Sequence, residues 1–409
     1  MKLFGDGRIG LVGDAVTAER LGWRVRRHSR PDPEILLRPR AGDPRFEPWI
    51  APPWWRSGAG PEPLWRHGSG RGPWTYLPGA VGVARYLEAM ARPARRRGWS
   101  VGLAGLGRVG GVAATLLAAM PVCESGIREL LVYDADAANQ ERWLLELGSI
   151  EAWRQASRRP RVRPASPAEM LAQCDAFLFA PSTGVPPIGT AGDVRMVQFE
   201  PNRRLLRAFV EHARATGYTG LFLIVSDPVE LLAQAAFHDS NRGHSGAFTG
   251  DGLAPERIAG LGLGVMWGRA LACARREGWE RTVTRFGAVY GPHGPDVVVF
   301  DDVRKPNLRR SDALSVAARE GNLRIRDLGH LPYVGPGASS VGLMLPPLLA
   351  GEEALASVLL DGIYFGAPAR LAWGLYPQPR PLATEVKATL TKLHGRLAAQ
   401  ATSLGVLFR

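Results

Sequence analysis

The sequence predicts a doubly wound α/β fold built on a parallel sheet and followed by a mixed α/β region. Short apolar runs alternate with helical stretches from Trp99 onward, and a glycine-rich turn joins the first such run to the first helix. The composition, 45% hydrophobic and 22% charged, is that of an ordinary globular protein. A chain of 409 residues is long enough for two or three domains with buried cores.

The first 98 residues differ in composition from the rest. They hold six of the 12 tryptophans, 12 of the 33 prolines and 18 basic residues against nine acidic ones, so they carry most of the net charge of +13. Proline at this density excludes long helices and central strands, whereas the aromatic content is too high for a free tail. We expect strands and turns that wrap onto the main body or form a small appended domain. Nucleic-acid binding by this basic segment is an alternative without a recognisable motif behind it.

Alternating apolar runs and amphipathic stretches place the next elements. Strands are predicted at 100–104, 129–133, 176–180 and 221–225, and helices at 109–119, 139–147 and 202–216. A parallel sheet with crossover helices follows from this alternation, because parallel neighbours need a long connection between them.

A turn of sequence GLGRVG joins the first predicted strand to the first helix. In that context Gly105 permits a tight turn, Gly107 lets a backbone approach a pyrophosphate, and Gly110 allows close packing of the helix. Arg108 and Val109 complete the turn, and Arg108 is either a counter-ion of the pyrophosphate or a solvated side chain. The helix N-terminus adds N–H donors and a positive dipole.

Asp134 ends the second predicted strand. A carboxylate at this place accepts the two hydroxyls of an adenosine ribose and repels a 2′-phosphate, so the sequence predicts NAD as the cofactor of a Rossmann-type domain. A glycine-rich turn in an α/β protein that binds no nucleotide is the alternative.

Four further motifs follow in a fixed order: a strand-ending loop with the helix after it, the strand end Ser-Asp-Pro-Val, a segment that begins RIAGLG, and the turn GPHG. The functional positions in them are, in chain order, Arg195 and Asn202, Asp227, Met266 and Arg269, and His293. We expect Arg195 in the loop and Asn202 at the start of the helix.

This order of motifs resembles the L-lactate/malate dehydrogenase family over about three quarters of the chain. The resemblance implies a divergent member with an N-terminal extension at 1–98, an NAD-binding Rossmann domain at 99–258 and a lactate/malate dehydrogenase-like catalytic domain at 259–409. It implies hydride transfer between NAD and a small 2-hydroxy or 2-oxo acid. A homo-oligomer is implied by the resemblance alone.

The resemblance also implies roles for individual residues. The arginine matched by Arg195 polarises the substrate carbonyl when its loop closes. The arginine matched by Arg269 forks onto the substrate carboxylate, and the histidine matched by His293 is the general acid/base. Asn202 is predicted to help bind the substrate. Between Thr183 and Gly192 there is no charged residue, which favours a lactate-type substrate over malate with its second carboxylate.

Two positions depart from the family pattern. The aspartate that orients the catalytic histidine is replaced by Met266, and the asparagine beside the substrate oxygen is replaced by Asp227. Loss of a histidine's orienting acid cost about 10⁴-fold in turnover in a serine protease. One hypothesis is that Asp227 or, less directly, Asp296 supplies the missing carboxylate. Others are that Asp227 meets an amino or imino substrate, or that the chain is a catalytically impaired, NAD-binding regulatory protein.

The cysteines and the lack of a long apolar stretch favour a cytoplasmic location. The three cysteines form no CxxC pair and lie in apolar runs, which predicts buried thiols in a reducing compartment and no metal site. No stretch gives 18 uninterrupted apolar residues, so no membrane partner is expected.

Overall fold

The computed structural model describes most of the chain beyond the N-terminal segment. The described ranges are 98–151, 158–184, 194–243, 252–371, 374–378 and 380–407, together with the backbone of four short strands nearer the N-terminus. Within these ranges, every helix is too short or too polar to cross a membrane.

The four N-terminal strands form an antiparallel sheet in the order β3-β1-β2-β4. They are β1 (Lys2–Gly5), β2 (Ile9–Gly13), β3 (Arg24–Arg27) and β4 (Leu37–Pro39). Strands therefore form in this segment, as its composition predicts. The tryptophan- and proline-rich run at 48–56 lies outside the described residues, and a wrapped extension or an appended domain stays a prediction.

Six parallel strands form the first part of a nine-stranded main sheet. They are β5 (Trp99–Ala104), β6 (Ile127–Tyr133), β7 (Arg161–Pro164), β8 (Ala176–Phe179), β9 (Leu221–Ile224) and β10 (Ile258–Gly260). Their spatial order is β7-β6-β5-β8-β9-β10, and each neighbouring pair is parallel. This is the 3-2-1-4-5-6 order of a Rossmann-type sheet, and it confirms the predicted fold class.

Helices cover both faces of this sheet, because alternate strand residues face two separate apolar cores. Phe177 and Phe222 belong to one core, whereas Leu178 and Leu223 belong to the other. A strand buried on both faces has no polar side to show, which explains the continuous apolar runs in the sequence. The helices in this half are α1 (Arg108–Ala119), α2 (Val122–Ser125), α3 (Ala137–Gly148), α4 (Pro167–Gln173), α5 (Val194–Thr216) and α6 (Val229–Ser240).

The C-terminal part adds three antiparallel strands to the same sheet through β10. They are β13 (Glu353–Leu360), β14 (Ile363–Leu371) and β15 (Leu375–Pro377); β11 (Ala288–Tyr290) and β12 (Val298–Phe300) form a separate hairpin. The helices here are α7 (Leu263–Arg276), α8 (Glu280–Phe286), α9 (Leu308–Asp327), α10 (Leu345–Leu349) and α11 (Thr384–Ser403), and a π-helical turn spans Pro336–Gly342. The predicted boundary after residue 258 falls inside β10, and the division into domains stays a prediction.

Three sequence-based expectations need correction. α5 begins at Val194, with Pro201 inside it, so Asn202 lies in the helix interior and Arg195 in its first turn. β7 was not predicted because it is a short edge strand of sequence RVRP with no fully buried residue. Cys123 is exposed on the surface, whereas the other two cysteines are buried as expected.

Candidate active site

The glycine-rich turn is held at the end of β5 by close backbone contacts. Gly105 has φ +87°, and a Cβ there would lie 2.5 Å from the backbone nitrogen of Pro181, at the end of β8. A Cβ on Gly110 would overlap the Gly105 carbonyl oxygen. Both positions therefore require glycine, as the motif predicts.

Gly107, at the N-terminus of α1, differs from Gly105 and Gly110 because it has no close neighbours. A Cβ at this position would find no atom within 4 Å, so the space in front of the helix is open. The first turn of α1 has no acidic residue, and no side chain caps it. The next residue, Arg108, is exposed, with its guanidinium 5.9 Å from the centre of the Tyr333 ring. Val109 is partly buried, and its carbonyl oxygen approaches Gly337 of the π-helical turn.

Asp134 connects the end of β6 to the glycine-rich turn. Its Oδ2 accepts a hydrogen bond from the backbone N–H of Leu106 at 2.7 Å, and its Oδ1 accepts one from Asp136 at 3.0 Å. A carboxylate oxygen can accept more than one hydrogen bond, so these contacts orient the group and leave acceptor capacity for a further ligand.

The predicted catalytic residues converge at the carboxyl edge of the sheet. Asp227 follows β9, and its Oδ1 lies 3.7 Å from Nε2 of His293, while its Oδ2 lies 3.8 Å from Nε of Arg195. The side chains of His293 and Arg195 are largely buried, whereas 31% of the Asp227 side-chain surface is exposed. Three side chains that are widely separated in sequence thus surround one partly open space.

The two nitrogens of His293 have unequal surroundings. Nε2 faces Asp227, whereas Nδ1 is buried beside the Gly262 backbone, which raises the pKa of the ring, and no side chain among the described residues hydrogen-bonds to it. Burial and the guanidinium groups of Arg195 and Arg269 lower the pKa of His293 to about 4, although Asp227 acts in the opposite direction. The imidazole is therefore neutral at pH 7.

Met266 is fully buried on α7, and its sulfur lies 3.7 Å from Nη1 of Arg269. A thioether cannot charge or orient an imidazole, so the position has become part of the apolar core around α7. Asp227 does not occupy the place of the missing carboxylate, because it approaches Nε2, whereas Nδ1 lies beside the Gly262 backbone and no carboxylate among the described residues hydrogen-bonds to it. Asp296, the other candidate, pairs instead with Arg396 at 3.0 Å.

Arg269 lies between α7 and α9. Its Nη1 donates to the carbonyl oxygen of Ala318 at 3.1 Å, and its stem passes Gly321, where a Cβ would lie 2.6 Å from Cδ of the arginine. None of the described acidic residues forms an ion pair with this guanidinium. Burial and the charge of Arg195 lower the pKa of Arg269 to about 10, which indicates a cation that an anionic ligand would stabilise.

Asn202 is fully buried and engaged at both ends of its amide. Its Nδ2 donates to the carbonyl oxygen of Asp227 at 2.8 Å, and its Oδ1 accepts from the backbone N–H of Thr183 at 3.0 Å. Asn202 thereby links the loop after β8 to the turn after β9. These contacts suit a positioning role, and substrate binding by Asn202 stays a prediction.

Arg195 is the arginine of its helix that reaches this space. Arg203 makes a bidentate pair with Asp239, and Arg207 approaches the same carboxylate at 3.3 Å. Arg204 is exposed and pairs with Glu200. The loop residues 185–193, where a substrate-discriminating side chain is expected, lie outside the described residues.

Two buried residues that sequence reasoning missed support this edge of the sheet. Glu230, on the first turn of α6, accepts a hydrogen bond from the backbone N–H of His293 at 2.9 Å. The Ser340 hydroxyl of the π-helical turn donates to the carbonyl oxygen of Gly262 and accepts from the N–H of Val265. The position of Glu230 directly after Ser-Asp-Pro-Val was the available signal for the first.

No profile of a known protein family matches the chain. In sequence, the chain is similar to L-lactate dehydrogenase 1 of Listeria innocua, with 24% identity over 204 residues, which cover 44% of this chain and 61% of the relative. It is similar to L-lactate dehydrogenase of Corynebacterium efficiens, with 26% identity over 117 residues, which cover 29% of this chain and 35% of the relative. The chain therefore spans less than two thirds of the length of these curated relatives.

Solved structures of similar fold cover most of the chain. Minor L-lactate dehydrogenase of Enterococcus mundtii, in a ligand-bound form, aligns with a TM-score of 0.61 at 19% identity, over 75% of this chain and 99% of that one. Malate dehydrogenase of Archaeoglobus fulgidus, in complex with NADH, aligns with a TM-score of 0.58 at 14% identity, over the same shares. At these identities the structural likeness establishes the fold.

Proposed function

We propose that this chain, a divergent member of the L-lactate/malate dehydrogenase family, is an NAD-dependent 2-hydroxyacid dehydrogenase of lactate type. The observation that carries the proposal is that the Asp227 carboxylate lies 3.7 Å from Nε2 of His293 and 3.8 Å from Nε of Arg195. Arg269 lies near this group, and the glycine-rich turn lies at the same edge of the sheet. In open α/β sheets this carboxyl edge is where ligands bind. A small 2-hydroxy or 2-oxo acid is the proposed substrate.

The residues of the turn fit a dinucleotide. Gly107 leaves open space before α1, whose N-terminus carries no acidic side chain that would repel a pyrophosphate. Asp134 is oriented by backbone donors and has remaining capacity for ribose hydroxyls. NAD(H) would supply the hydride acceptor or donor, and the malate dehydrogenase of Archaeoglobus fulgidus, which has a similar fold and was solved in complex with NADH, supports this choice.

In the proposed reaction His293 exchanges a proton with the substrate oxygen at C2. A neutral imidazole is the correct form for accepting the hydroxyl proton as the alcohol is oxidised, and a protonated one for reducing the carbonyl. The two arginines keep its pKa low in the free protein. A substrate carboxylate on Arg269 would offset one of these cations and so raise the pKa of His293 toward neutrality.

Arg269 suits the carboxylate of the substrate. It is a planar bidentate donor that is partly buried without an acidic ion-pair partner among the described residues, and a bound anion would offset the free-energy cost of this burial. Arg195, in the first turn of α5, directs its guanidinium to the space between Asp227 and Gly294, where it would polarise the carbonyl.

Asp227 is proposed to act with His293 as an acid/base pair. Because it faces Nε2, its carboxylate stabilises the protonated imidazole from the substrate side, unlike an orienting acid behind the ring. Cofactor binding does not depend on this pair, whereas proton transfer does.

A panel of short 2-oxo acids, with NADH and NADPH in parallel, tests the proposal by the rate of cofactor oxidation. We expect NADH oxidation with at least one acid that carries a small or apolar substituent, and a preference for NADH over NADPH. NADH binding without oxidation by any acid would contradict the proposal. Fluorescence quenching of tryptophan by NADH gives the binding measurement.

A catalytically impaired, NAD-binding regulatory protein is the second candidate. The observation that favours it is that no carboxylate among the described residues hydrogen-bonds to the buried Nδ1 of His293, and that a fully buried Met266 stands where the family carries the orienting aspartate. An imidazole without an orienting partner loses much of its value as an acid/base. The panel separates the two candidates directly. A homo-oligomer and a cytoplasmic location stay predictions.

A further inference from the structure

Glu230 is a fully buried carboxyl group that the proposed chemistry does not use. It lies on the first turn of α6, three residues after Asp227, and only 3% of the residue is exposed. Its Oε1 accepts two hydrogen bonds, one from the backbone N–H of His293 at 2.9 Å and one from the hydroxyl of Ser357 at 2.6 Å. Burial of a carboxyl group costs free energy unless hydrogen bonds replace those that it loses to water, and these two contacts do so.

These two hydrogen bonds join three parts of the molecule. Glu230 belongs to α6, His293 to the turn after β11, and Ser357 to β13, where it pairs with Gly260 of β10. The contact to His293 is with its backbone, whereas its ring packs against the backbone of Gly262. The ring is thus fixed by packing, and its backbone is fixed by Glu230.

We propose that Glu230 is the positioning residue of His293, which holds the histidine turn against β13 and so aims the imidazole at Asp227 in the absence of an acid at position 266. The proposal rests on the proposed function for its kinetic consequences, but its structural consequences are independent of turnover.

The two hydrogen bonds of Glu230 to His293 and Ser357 can form in both protonation states of the carboxyl group. Since Oε1 accepts both hydrogen bonds, a proton can reside on Oε2 without the loss of either. The titratable groups that face Glu230 are Asp227 from the end of β9 and His293 from the histidine turn, while β13 contributes the neutral hydroxyl of Ser357. Burial raises the pKa of Glu230 to about 7, with the charge of Asp227 acting in the same direction.

Ionisation of Glu230 therefore adds a buried negative charge beside Asp227 as the pH rises through about 7. This charge opposes the binding of an anionic substrate, because like charges in a buried site repel strongly. The KM for the 2-oxo acid should rise across this pH range in the wild type, and a neutral group at position 230 should remove that component of the rise.

The experiment compares Glu230→Gln, Glu230→Ala and Ser357→Ala in the full chain. The glutamine keeps an acceptor oxygen and removes the charge, whereas the alanine removes both hydrogen bonds, to His293 and to Ser357. Gln234→Ala is the matched control, since Gln234 is a buried acceptor one turn further along α6 that contacts the Tyr364 backbone N–H instead of the histidine turn.

The first readout is the imidazole NMR signal of His293, assigned by its absence in His293→Gln. We expect Glu230→Ala to move and broaden this signal, Ser357→Ala to move it less, and Glu230→Gln and Gln234→Ala to leave it in place at pH 6. An unmoved signal in a folded Glu230→Ala protein would overturn the proposal. If that variant does not fold, a Ser357→Ala signal identical to the wild type would do so.

The second readout is kinetic. Misplacement of a catalytic group by about 1 Å can cost on the order of a hundredfold, so Glu230→Ala should lose up to about a hundredfold in kcat with an unchanged Kd for NADH. Glu230→Gln should keep its kcat at pH 6 and lack the rise in KM near pH 7. Glutamine and alanine variants that are equally impaired would contradict the positioning role. A wild type without turnover would instead refute the proposed function, and the NMR comparison would still decide the role of Glu230.

Discussion

The glycine-rich turn at 105–110 and the proposed catalytic site around His293 lie at the same end of the sheet. The turn keeps the residues of the family pattern, whereas the catalytic site departs from that pattern at two positions. At the turn, Gly105 and Gly110 are required by close backbone contacts, whereas Gly107 leaves open space that a bound ligand would need. At the edge, Met266 has joined an apolar core and Asp227 has appeared on the other side of the imidazole. The proposed cofactor site therefore keeps the family pattern, whereas the proposed catalytic site departs from it.

The sharpest way to separate the two regions is His293→Gln. The imidazole is the proposed acid/base, and such groups contribute about 10²- to 10⁴-fold to turnover. We expect a loss of about 10³-fold in kcat with the Kd for NADH unchanged, measured by NADH oxidation and by tryptophan quenching. Retention of the wild-type rate would assign the proton transfer to another group.

Asp227→Asn restores the residue that the family carries and removes the carboxylate next to Nε2. Asp227 raises the pKa of His293, so its loss makes the protonated imidazole still harder to form. We expect kcat for oxo-acid reduction to fall by about 10²-fold, most severely at high pH where the protonated form is scarcest. An unchanged or higher kcat would show that Asp227 is not part of the acid/base pair.

Gly107→Leu tests the turn without disturbing the fold. The site in front of α1 is open and Gly107 has an ordinary φ of −69°, so a side chain fits there in the free protein. We expect an unchanged Tm and a Kd for NADH that rises about tenfold or more, which corresponds to about 1.4 kcal/mol. Gly105→Ala is the matched contrast, because strain and the contact with Pro181 should lower its Tm. A full-affinity Gly107→Leu protein would place the cofactor elsewhere.

Gly321→Ala is expected to have the smallest effect. Its new methyl group would press on the stem of Arg269 and displace the guanidinium without touching the nucleotide turn. The KM for the 2-oxo acid should increase severalfold, while the Kd for NADH and kcat at saturation stay close to the wild type. A change in NADH affinity instead would mean that the two regions are coupled.

The sequence predicted those parts of the molecule whose causes are local. The alternation of buried strands and helices, the glycine-rich turn and Asp134 follow from side-chain period and backbone sterics within short segments. α5 begins at Val194, eight residues before the start predicted at 202, and it contains Pro201. An interior proline is disfavoured in a helix, so the local sequence gives no signal that the helix extends through it.

Other features depend on contacts between distant segments. The order of motifs predicted that Asp227 and His293 lie in one site, but the sequence did not predict which ring nitrogen the carboxylate faces. The sequence also did not predict that Glu230 accepts a hydrogen bond from the backbone of His293, which lies 63 positions away. Nor did it predict that Ser340 donates a hydrogen bond to Gly262, in the turn before α7. These contacts arise from the meeting of α6, β13 and the π-helical turn at the sheet edge.

The most direct test of the account is the transfer of deuterium from NADH labelled at both C4 positions to a 2-oxo acid, followed by mass spectrometry of the product. With the wild type we predict a 2-hydroxy acid that carries deuterium at C2, and with His293→Gln almost none over the same time. Tight NADH binding without any deuterated product from the wild type would contradict the assignment as a dehydrogenase and favour an NAD-binding protein without catalysis.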